Sequence, residues 1–523
     1  LLLDVMMADV MAESVWDKKP IFDTLLEQRA FWGPKRVMAM EPDGSRIDWN
    51  GFITRIFLIG RIVAKISKEG DMVGIMLPNS LMTLASIIGF QHRGRIPAML
   101  NYSMGARSLI AACGVAKVRT MVTSRRFVEE GKFAPLISAL SDAGIVPFYL
   151  EDEVAGIGAL GKIGCALSSI FASPTPNAEE EARKIAVVLF TSGSEGTPKP
   201  VALSHLNIQA NTAQVRSTLD FFATDVLLDI MPMFHSFGLC TGTIMPLSAG
   251  MPIAFYPTPL HYKKIPQYAY ETGSTVLLGT NAFLAGYAKN ADELDFFEIK
   301  YVICGGDKLK ESTVKLWMDK FGKRVLEGYG VTECSPVVGV NKAGYVKFGS
   351  IGRPLPCVRP SLTPVEGVAR GGRLVLKGPN LMMGYIQADG SILQPPAEGY
   401  DTGDIVTIDD DGFITIEGRA RRFAKIGGEM VSLAQIEAAV QEVWPDETHA
   451  VVSLPDENRG EVIVLLTERA APDKEELRAG LAAMGLPELV IPKKTIYAES
   501  IPRIGVGKID YESASKLAKE DKQ

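Results

Sequence analysis

The chain contains few of the side chains that form disulfides or bind structural metals. It has six cysteines and five histidines among 523 residues, and the cysteines are far apart in the sequence. Neither a Cys-x2-Cys pair nor a cluster of cysteine and histidine occurs, so a structural zinc site is not expected. Scattered thiols are typical of proteins in a reducing compartment, which predicts a cytoplasmic location.

An excess of basic side chains and long uninterrupted apolar runs are also missing. The formal net charge is −6, which excludes a broadly basic nucleic-acid binder, so no nucleic-acid partner is predicted. Two stretches without charge, residues 73–91 and 230–262, are interrupted by proline and polar residues. The first predicts a buried strand, a turn and a buried helix, and the second predicts buried strands and loops. No transmembrane helix is therefore expected.

The length of the chain and the order of its predicted elements indicate two domains. A chain of 523 residues exceeds what one hydrophobic core usually organises. Strand-like runs alternate with helical stretches up to about residue 417, which predicts a large, multi-layered α/β N-terminal domain over residues 21–418. Residues 419–523 predict a smaller, mobile α+β C-terminal domain. Residues 1–20 predict a helix, which is either an ordinary first helix or, as we favour, the remnant of a preceding domain.

A loop rich in glycine and hydroxyl side chains follows an apolar run at residues 185–190. Glycines let a backbone approach an anion, and the exposed N–H groups of such a loop bind phosphate. The loop is not a Walker A motif, because Pro198 and Pro200 flank its lysine and prevent a helix from starting there. The candidate phosphate ligands are Thr191, Ser192, Gly193, Ser194, Gly196, Thr197 and Lys199.

Four further motifs follow the loop, at residues 327–333, 400–404, 418–425 and 502–508. With the loop, they resemble the signature set of the adenylate-forming superfamily, which includes acyl-CoA synthetases, luciferases and the adenylation domains of peptide synthetases. Five motifs in the order and spacing of the family cover most of the chain. The resemblance implies an N-terminal adenylation domain and a C-terminal lid domain.

The resemblance also implies that the chain activates a carboxylate with ATP and Mg²⁺. The loop would clamp the β- and γ-phosphates, Thr332 would lie beside the α-phosphate, and Glu333 would bind Mg²⁺, which takes one or two protein carboxylates. The other implied nucleotide-binding residues are Gly305, Gly306, Asp307, Gly328, Tyr329, Gly330, Asp404 and Arg419, with Tyr329 on adenine and Asp404 on the ribose hydroxyls. The alternatives are a surface glutamate at Glu333 and a turn aspartate at Asp404.

By the same resemblance, Lys508 is catalytic together with Thr332 and Glu333. The matching lysine of the family reaches across the domain gap to the substrate carboxylate and the AMP phosphate. One ammonium between two anions stabilises the adenylation transition state more than either ground state. The alternative is an ordinary solvated lysine. Ile504 and Val506 replace hydroxyl residues of the family's loop.

The predicted hinge is Arg421, where most relatives have an aspartate pair and this chain has two arginines. A hinge needs residues at a domain edge that accept a change in backbone angles. Two arginines in place of the aspartate pair make the predicted domain boundary basic. A basic patch is therefore predicted that consists of Arg421, Arg422, Lys425, Lys493 and Lys494. The alternative is a solvated charged face.

Residues 95–102, 234–239, 257–262 and 422–432 resemble one branch of the superfamily. They are similar to the synthetase halves of bacterial bifunctional 2-acylglycerophosphoethanolamine acyltransferase/acyl-[acyl-carrier-protein] synthetases. The branch implies a fatty acid as substrate, acyl carrier protein as acceptor and a bacterial cytoplasmic location. Two further possibilities stay open: peripheral attachment to the inner membrane face, and attachment through a missing N-terminal domain. The implied pocket residues are His235, Phe237 and Gly279.

Three alternatives to this function stay open. In the first alternative, the acceptor is coenzyme A, which is also anionic. In the second, the chain is part of a lysophospholipid acyltransferase. In the third, the chain binds an adenylate without catalysing a reaction. The acyltransferase signature His-x4-Asp does not occur in this sequence.

Overall fold

A computed structural model of the chain describes residues 2–191, 198–365, 368, 370–419, 422–426, 429–456, 460–484, 488–504 and 508–520. Its internal contacts group the chain into two compact units. The first unit comprises Leu1–Arg359 and Lys377–Ala397, and the second comprises Pro360–Leu376 and Glu398–Gln523. The predicted fold class, a large α/β part and a smaller α+β part, is confirmed. The domain limits at 418 and 419 stay a prediction, and the contacts group residues 398–418 with the second unit.

The helices lie in both units. They are α1 (Leu2–Ser14), α2 (Ile21–Trp32), α3 (Trp49–Ile66), α4 (Leu81–His92), α5 (Ala106–Val115), α6 (Arg125–Glu130), α7 (Ala134–Asp142), α8 (Leu150–Ala155), α9 (Ala159–Ile170), α10 (Ala178–Glu181), α11 (His205–Arg216), α12 (Met245–Ser248), α13 (Lys264–Glu271), α14 (Asn281–Asn290), α15 (Glu311–Phe321), α16 (Leu433–Val443), α17 (Lys474–Ala483) and α18 (Tyr511–Glu520). A π-helix spans Phe237–Ile244, and short 3-10 helices span Thr332–Cys334 and Glu488–Val490.

The strands form several sheets. They are β1 (Val37–Met40), β2 (Arg46–Asp48), β3 (Met72–Ile75), β4 (Ile96–Met99), β5 (Thr120–Thr123), β6 (Val146–Tyr149), β7 (Ile185–Thr191), β8 (Lys199–Ser204), β9 (Leu227–Asp229), β10 (Ile253–Phe255), β11 (Val276–Gly279), β12 (Tyr301–Cys304), β13 (Val325–Gly330), β14 (Val337–Val340), β15 (Arg353–Pro354), β16 (Arg359–Thr363), β17 (Gly372–Lys377), β18 (Gly384–Ile386), β19 (Ile392–Leu393), β20 (Tyr400–Ile408), β21 (Ile414–Arg419), β22 (Phe423–Ile426), β23 (Glu429–Ser432), β24 (His449–Asp456), β25 (Gly460–Thr467), β26 (Lys494–Tyr497), β27 (Arg503–Ile504) and β28 (Lys508–Ile509).

The first unit contains two large sheets. In the described part of the chain, one has the order β15-β14-β13-β12-β11-β9-β10-β1-β2 and the other β19-β18-β8-β7-β4-β3-β5-β6. In the first of these sheets, β13, β12, β11, β9, β10 and β1 run parallel to one another. The flanking strands β14 and β2 are antiparallel to β13 and β1. Parallel strands are buried on both faces, which explains their continuous apolar sequences. The side chains of Asp48, Ser80 and Ser204 cap the N-termini of α3, α4 and α11, respectively.

The second unit is built on a sheet of β23, β22, β25, β24 and β26. One hydrophobic cluster combines Trp444 and Leu465 with side chains of α16 and α17. A separate cluster packs Ala514 and Ala518 of α18 against β24 and β25. The sheet is therefore covered by helices, and this unit has hydrophobic cores of its own.

Most elements predicted from the sequence are present. The predicted strand, turn and helix of residues 73–91 correspond to β3 and α4, and the α+β composition predicted for residues 419–523 is present in elements such as α16, β24, β25 and α17. The prediction for residues 230–262 was wrong in part, because the structure has a π-helix and α12 there in place of only strands and loops. No described helix is long and apolar enough to cross a bilayer. The interpretation of residues 1–20 as a remnant helix stays a prediction.

Arg422 does not belong to an exposed basic patch. Its side chain is 12% exposed and pairs with Glu437 on α16, with 3.0 Å between Arg422 Nη2 and Glu437 Oε2. The guanidinium lies 3.6 Å from the ring centroid of Tyr511. The Tyr511 hydroxyl donates to Glu437 Oε1 at 2.6 Å, and Val451 N–H donates to Oε2 at 2.9 Å. The basic patch as predicted is therefore wrong for Arg422, because its charge is neutralised inside the second unit; Arg421 lies outside the described residues.

We expect Glu437→Ala to destabilise the second unit by about 3 kcal/mol, because it leaves a mostly buried guanidinium without its carboxylate. Hydrogen exchange of α18 and β24 amides in the full chain measures this loss. Glu442→Ala changes an exposed carboxylate of the same helix and is the control. Equal protection in the two variants would show that the Glu437 contacts do not stabilise the unit.

Candidate functional site

The candidate site lies where parallel strands of the larger sheet of the first unit end. The carboxyl ends of β9, β11, β12 and β13 meet at one sheet edge, the usual place for ligands in such sheets. Gly279 ends β11, and its carbonyl accepts from Gly305 N–H at 3.0 Å. A Cβ on Gly305 would lie 3.0 Å from the Phe237 ring. The structure thus brings together Phe237, Gly279 and Gly305, which the resemblance implied as pocket and nucleotide-binding residues.

Thr332 and Glu333 lie in the 3-10 helix directly after β13. The Thr332 hydroxyl is 3.1 Å from the hydroxyl of Ser236, which joins this turn to the segment before the π-helix. Glu333 is only 7% exposed, so the alternative of a surface glutamate is wrong. Gly330 precedes the turn, and a Cβ there would lie 2.5 Å from the Pro336 carbonyl. Only glycine fits this approach, which explains its place in the motif.

Tyr385 is a site residue that the sequence did not predict. Its hydroxyl donates to Glu333 Oε1 at 2.7 Å. The Nζ of Lys199 lies 5.1 Å from the centroid of the Tyr385 ring. Tyr385 thus links two predicted site residues that are far apart in the sequence. The sequence around Tyr385 shows only a short strand-like run, and such a run does not indicate which residue the tyrosine contacts.

The strands on both sides of the predicted phosphate loop are present as the sequence predicts. The apolar run forms β7, and Lys199 opens the antiparallel strand β8 in place of a helix, with Thr191 opposite Lys199. As predicted, no helix starts at the lysine between Pro198 and Pro200. Ser192, Gly193, Ser194, Gly196 and Thr197 lie outside the described residues, and their contact with phosphate stays a prediction.

Glu327 is a second buried carboxyl group at this edge, and the sequence did not single it out. It is 6% exposed, and its Oε1 accepts from Leu309 N–H at 3.0 Å. Its Oε2 has no hydrogen-bond partner among the described residues. Burial, together with the nearby charge of Asp307, raises the pKa of Glu327 to about 7, although the Leu309 N–H bond and Lys308 act against this shift.

The remaining nucleotide-binding predictions of the first unit occupy the same two strand ends. Gly328 and Tyr329 belong to β13, whose neighbours are β12 and β14. Gly306 adopts a positive φ of 80°, and Asp307 is exposed beside it. A contact of Tyr329 with adenine stays a prediction.

His235 lies two residues before the π-helix and is partly buried. Its ring centroid is 4.7 Å from that of Phe234, with an interplanar angle of 53°. Phe234 in turn meets Tyr102 edge to face at 4.7 Å. The histidine therefore belongs to an aromatic cluster next to Ser236 and Phe237, and a role for it in acyl binding stays a prediction.

Asp404, Arg419 and Lys508 lie in the second unit. Asp404 and Arg419 are opposite each other in β20 and β21, with 3.1 Å between Asp404 Oδ1 and Arg419 Nε. Asp404 is therefore a buried strand residue, and the alternative of a turn aspartate is wrong. Lys508 begins β28 and pairs with Ile504 of β27. The roles of these three residues toward a nucleotide stay predictions, as does the hinge at Arg421.

The donor set at Glu333 fits Mg²⁺. The described residues contain no group of three or more metal-binding side chains, so they do not offer a cage made of protein ligands. Mg²⁺ is usually held by one or two carboxylates together with substrate phosphates and water. A single buried carboxylate beside a predicted phosphate loop agrees with that mode of binding.

A comparison with protein families agrees with this geometry. The model described as AMP-binding enzyme matches residues 44–386, more than half of the chain. The chain belongs to the AMP-binding enzyme family. This membership confirms the resemblance to the adenylate-forming superfamily, whereas the narrower resemblance to the bifunctional acyltransferase/synthetases stays a prediction.

Individual relatives of this AMP-binding enzyme include two bacterial ligases. A long-chain-fatty-acid–CoA ligase of Salmonella typhimurium is 26% identical over 480 residues, which cover 84% of each chain. The long-chain-fatty-acid–CoA ligase FadD13 of Mycobacterium tuberculosis is 27% identical over 501 residues, which cover 93% of this chain and 96% of that one. The fold is similar to the ATP-bound crystal structure of MatB from Rhodopseudomonas palustris, with a TM-score of 0.81 and 23% identity over 96% of this chain and 99% of that one.

The raised pKa of Glu327 predicts a pH dependence of stability in this AMP-binding enzyme. A carboxyl group whose pKa rises from 4.5 to about 7 on folding stabilises the folded state below pH 4.5, and this contribution is lost as the pH rises through about 7. We therefore expect the unfolding temperature of the parent to fall more steeply between pH 5 and 8 than that of Glu327→Gln. Calorimetry measures both slopes, and Glu293→Gln at an exposed position is the control. Parallel slopes for all three proteins would exclude a neutral Glu327.

Proposed function

We propose that this AMP-binding enzyme activates a long-chain fatty acid with ATP and transfers the acyl group to the thiol of coenzyme A. The observation that carries the proposal is the meeting of Phe237, Gly305, Thr332 and Glu333 at one sheet edge. The two ligases described above are named for long-chain fatty acids and CoA, which supports the substrate and the acceptor.

The proposed reaction has two steps. In the first, a carboxylate oxygen of the fatty acid attacks the α-phosphorus of ATP, the bond from that phosphorus to the bridging oxygen breaks, and pyrophosphate leaves. In the second, the thiol sulfur attacks the acyl carbon of the acyl-AMP, AMP leaves, and the thiol proton is released. Each step brings anions together or separates them, so positioned positive charge and hydrogen-bond donors lower its barrier.

Each site residue has a proposed part in the first step. Lys199 and the loop before it bind the β- and γ-phosphates, and Thr332 donates to the α-phosphate. Glu333 holds Mg²⁺, which neutralises charge on the phosphate oxygens when it is bound. Asp404 accepts from the ribose hydroxyls, as a buried carboxylate suits two neighbouring hydroxyl groups. The apolar segment around Phe237 receives the acyl chain.

Coenzyme A is the better supported acceptor. Acyl carrier protein was implied by the resemblance to one branch of the superfamily, and an exposed basic patch would have suited this acidic partner. Arg422 of that patch is instead mostly buried in an ion pair with Glu437. The acidic carrier protein would meet less positive charge than predicted, and electrostatic complementarity at such a surface mainly sets association rates. Carrier protein is therefore the competitor in the test.

The proposal is tested by pyrophosphate release with saturated fatty acids of increasing length, followed by thioester formation. We expect release that depends on the fatty acid and is highest for long chains, and thioester on coenzyme A in preference to carrier protein charged with phosphopantetheine. Pyrophosphate release that is independent of any fatty acid would overturn the substrate. Thioester found on carrier protein alone would overturn the acceptor and restore the first prediction.

Lys508→Ala is expected to lower acyl-AMP formation by about 100-fold or more, because the transition state loses a positioned cation. Thioester formation from supplied acyl-AMP should be nearly unchanged, since the proposed role of the lysine belongs to the first step. Single-turnover measurement of each step separates the two, with Lys519→Ala, an exposed lysine of the same unit, as the control. An equal loss in both steps would contradict the role of Lys508.

A further inference from the structure

The segment that carries Tyr385 joins the two sheets of the first unit. On one side, Asn380 Nδ2 donates to the Cys334 carbonyl at 2.8 Å, and Met382 N–H donates to the Glu333 carbonyl at 2.8 Å. On the other, Met383 N–H donates to the Ala202 carbonyl at 2.9 Å. The chain then continues as β18, which pairs with β8. Residues 380–385 therefore hold the turn after β13 against the strand that begins at Lys199.

Tyr385 adds a side-chain link to this backbone connection. Its hydroxyl donates to Glu333 Oε1 at 2.7 Å, a distance typical of a hydrogen bond to a carboxylate. Glu333 is almost fully buried, and a donor to one of its oxygens restricts the orientations that the carboxylate can adopt. Hydrogen-bond partners of this kind orient metal ligands and affect metal affinity by roughly 10- to 100-fold.

The ring of Tyr385 has a separate contact. Lys199 Nζ lies 5.1 Å from its centroid, within the range in which an ammonium is attracted to an aromatic face. Lys199 is exposed, so without this contact its flexible side chain would sample many rotamers. One side chain thus contacts both the predicted metal-binding carboxylate and the predicted phosphate-binding lysine.

We propose that Tyr385 is a positioning residue that orients Glu333 through its hydroxyl and Lys199 through its ring, and so sets the magnesium-dependent affinity for ATP. The inference rests on the proposed function, because that function assigns Mg²⁺ to Glu333 and the ATP phosphates to Lys199. Tyr385 itself contacts neither reacting atom in this proposal. The hydroxyl and the ring make separable contributions, because each contacts a different partner.

Two substitutions separate the contributions. Tyr385→Phe keeps the ring under Lys199 and removes the donor to Glu333, whereas Tyr385→Leu removes both contacts. Tyr270→Phe removes the hydroxyl of an exposed tyrosine on α13 and is the matched control. Glu333→Gln serves as the reference for loss of the metal ligand itself.

The readout is equilibrium binding of ATP by calorimetry, with EDTA and across a magnesium titration, without fatty acid. For Tyr385→Phe we expect the parental affinity for ATP in EDTA. The magnesium concentration that gives half of the maximal gain in ATP affinity should rise roughly tenfold. For Tyr385→Leu we expect the same shift and, in addition, a few-fold weaker binding in EDTA. Acyl-AMP formation should show a higher apparent KM for MgATP in Tyr385→Phe with a smaller change in kcat.

The outcomes distinguish the inference from the proposed function. If the parent releases pyrophosphate with fatty acid and Tyr385→Phe has the parental magnesium titration, the positioning role is wrong and the function stands. If Tyr385→Phe weakens ATP equally with and without magnesium, the tyrosine only supports the fold, which also overturns the inference. If Glu333→Gln leaves the magnesium titration unchanged in a parent that binds MgATP, Glu333 is not the metal ligand, and the inference fails with it.

Discussion

The closed turn after β13 is the constraint on which the candidate site depends. Val331 N–H donates to the Pro336 carbonyl at 3.0 Å, and the same carbonyl approaches Gly330 so closely that no side chain fits there. Asn211 on α11 exchanges hydrogen bonds with both backbone groups of Val337, at 2.7 and 3.0 Å. Both ends of the turn are thus tied to buried structure, and the burial of Glu333 follows from this closure.

The same turn explains why two sheets are needed for one site. The larger sheet supplies the strand ends that carry Phe237, Gly305 and Glu333, and the second sheet supplies Lys199 at the start of β8. Residues 380–385 hydrogen-bond to both. A phosphate-binding loop and a carboxylate that come from different sheets can keep a fixed separation only if such a connection exists, because isolated loops are mobile.

Sequence patterns predicted the local part of this arrangement well. β7, the strand start at Lys199 and the elements of the second unit follow from apolar periodicity and from proline, which act over a few residues. Contacts between distant segments could not be predicted in this way. Tyr385 reaches Glu333 because β18 pairs with β8. Arg422 is paired with Glu437 because α16 and α18 lie beside it, whereas its sequence neighbours suggested an exposed basic patch. The π-helix was missed because apolar residues in a buried helix of any pitch show no amphipathic pattern.

The π-helix at Phe237–Ile244 also has a consequence for how this chain would respond to insertions and deletions. A π-turn holds one residue more than an α-turn, and it persists here with Gly238 pressed against the carbonyls of Met231 and Pro232. Deleting one residue from this stretch would restore α-helical winding and would turn one flank by about 100° relative to the other. The orientation of Phe237 relative to Gly305 is then set by chain length as well as by side-chain identity. Insertions and deletions here would remodel the apolar side of the site in one step, without a change at any residue of the nucleotide side.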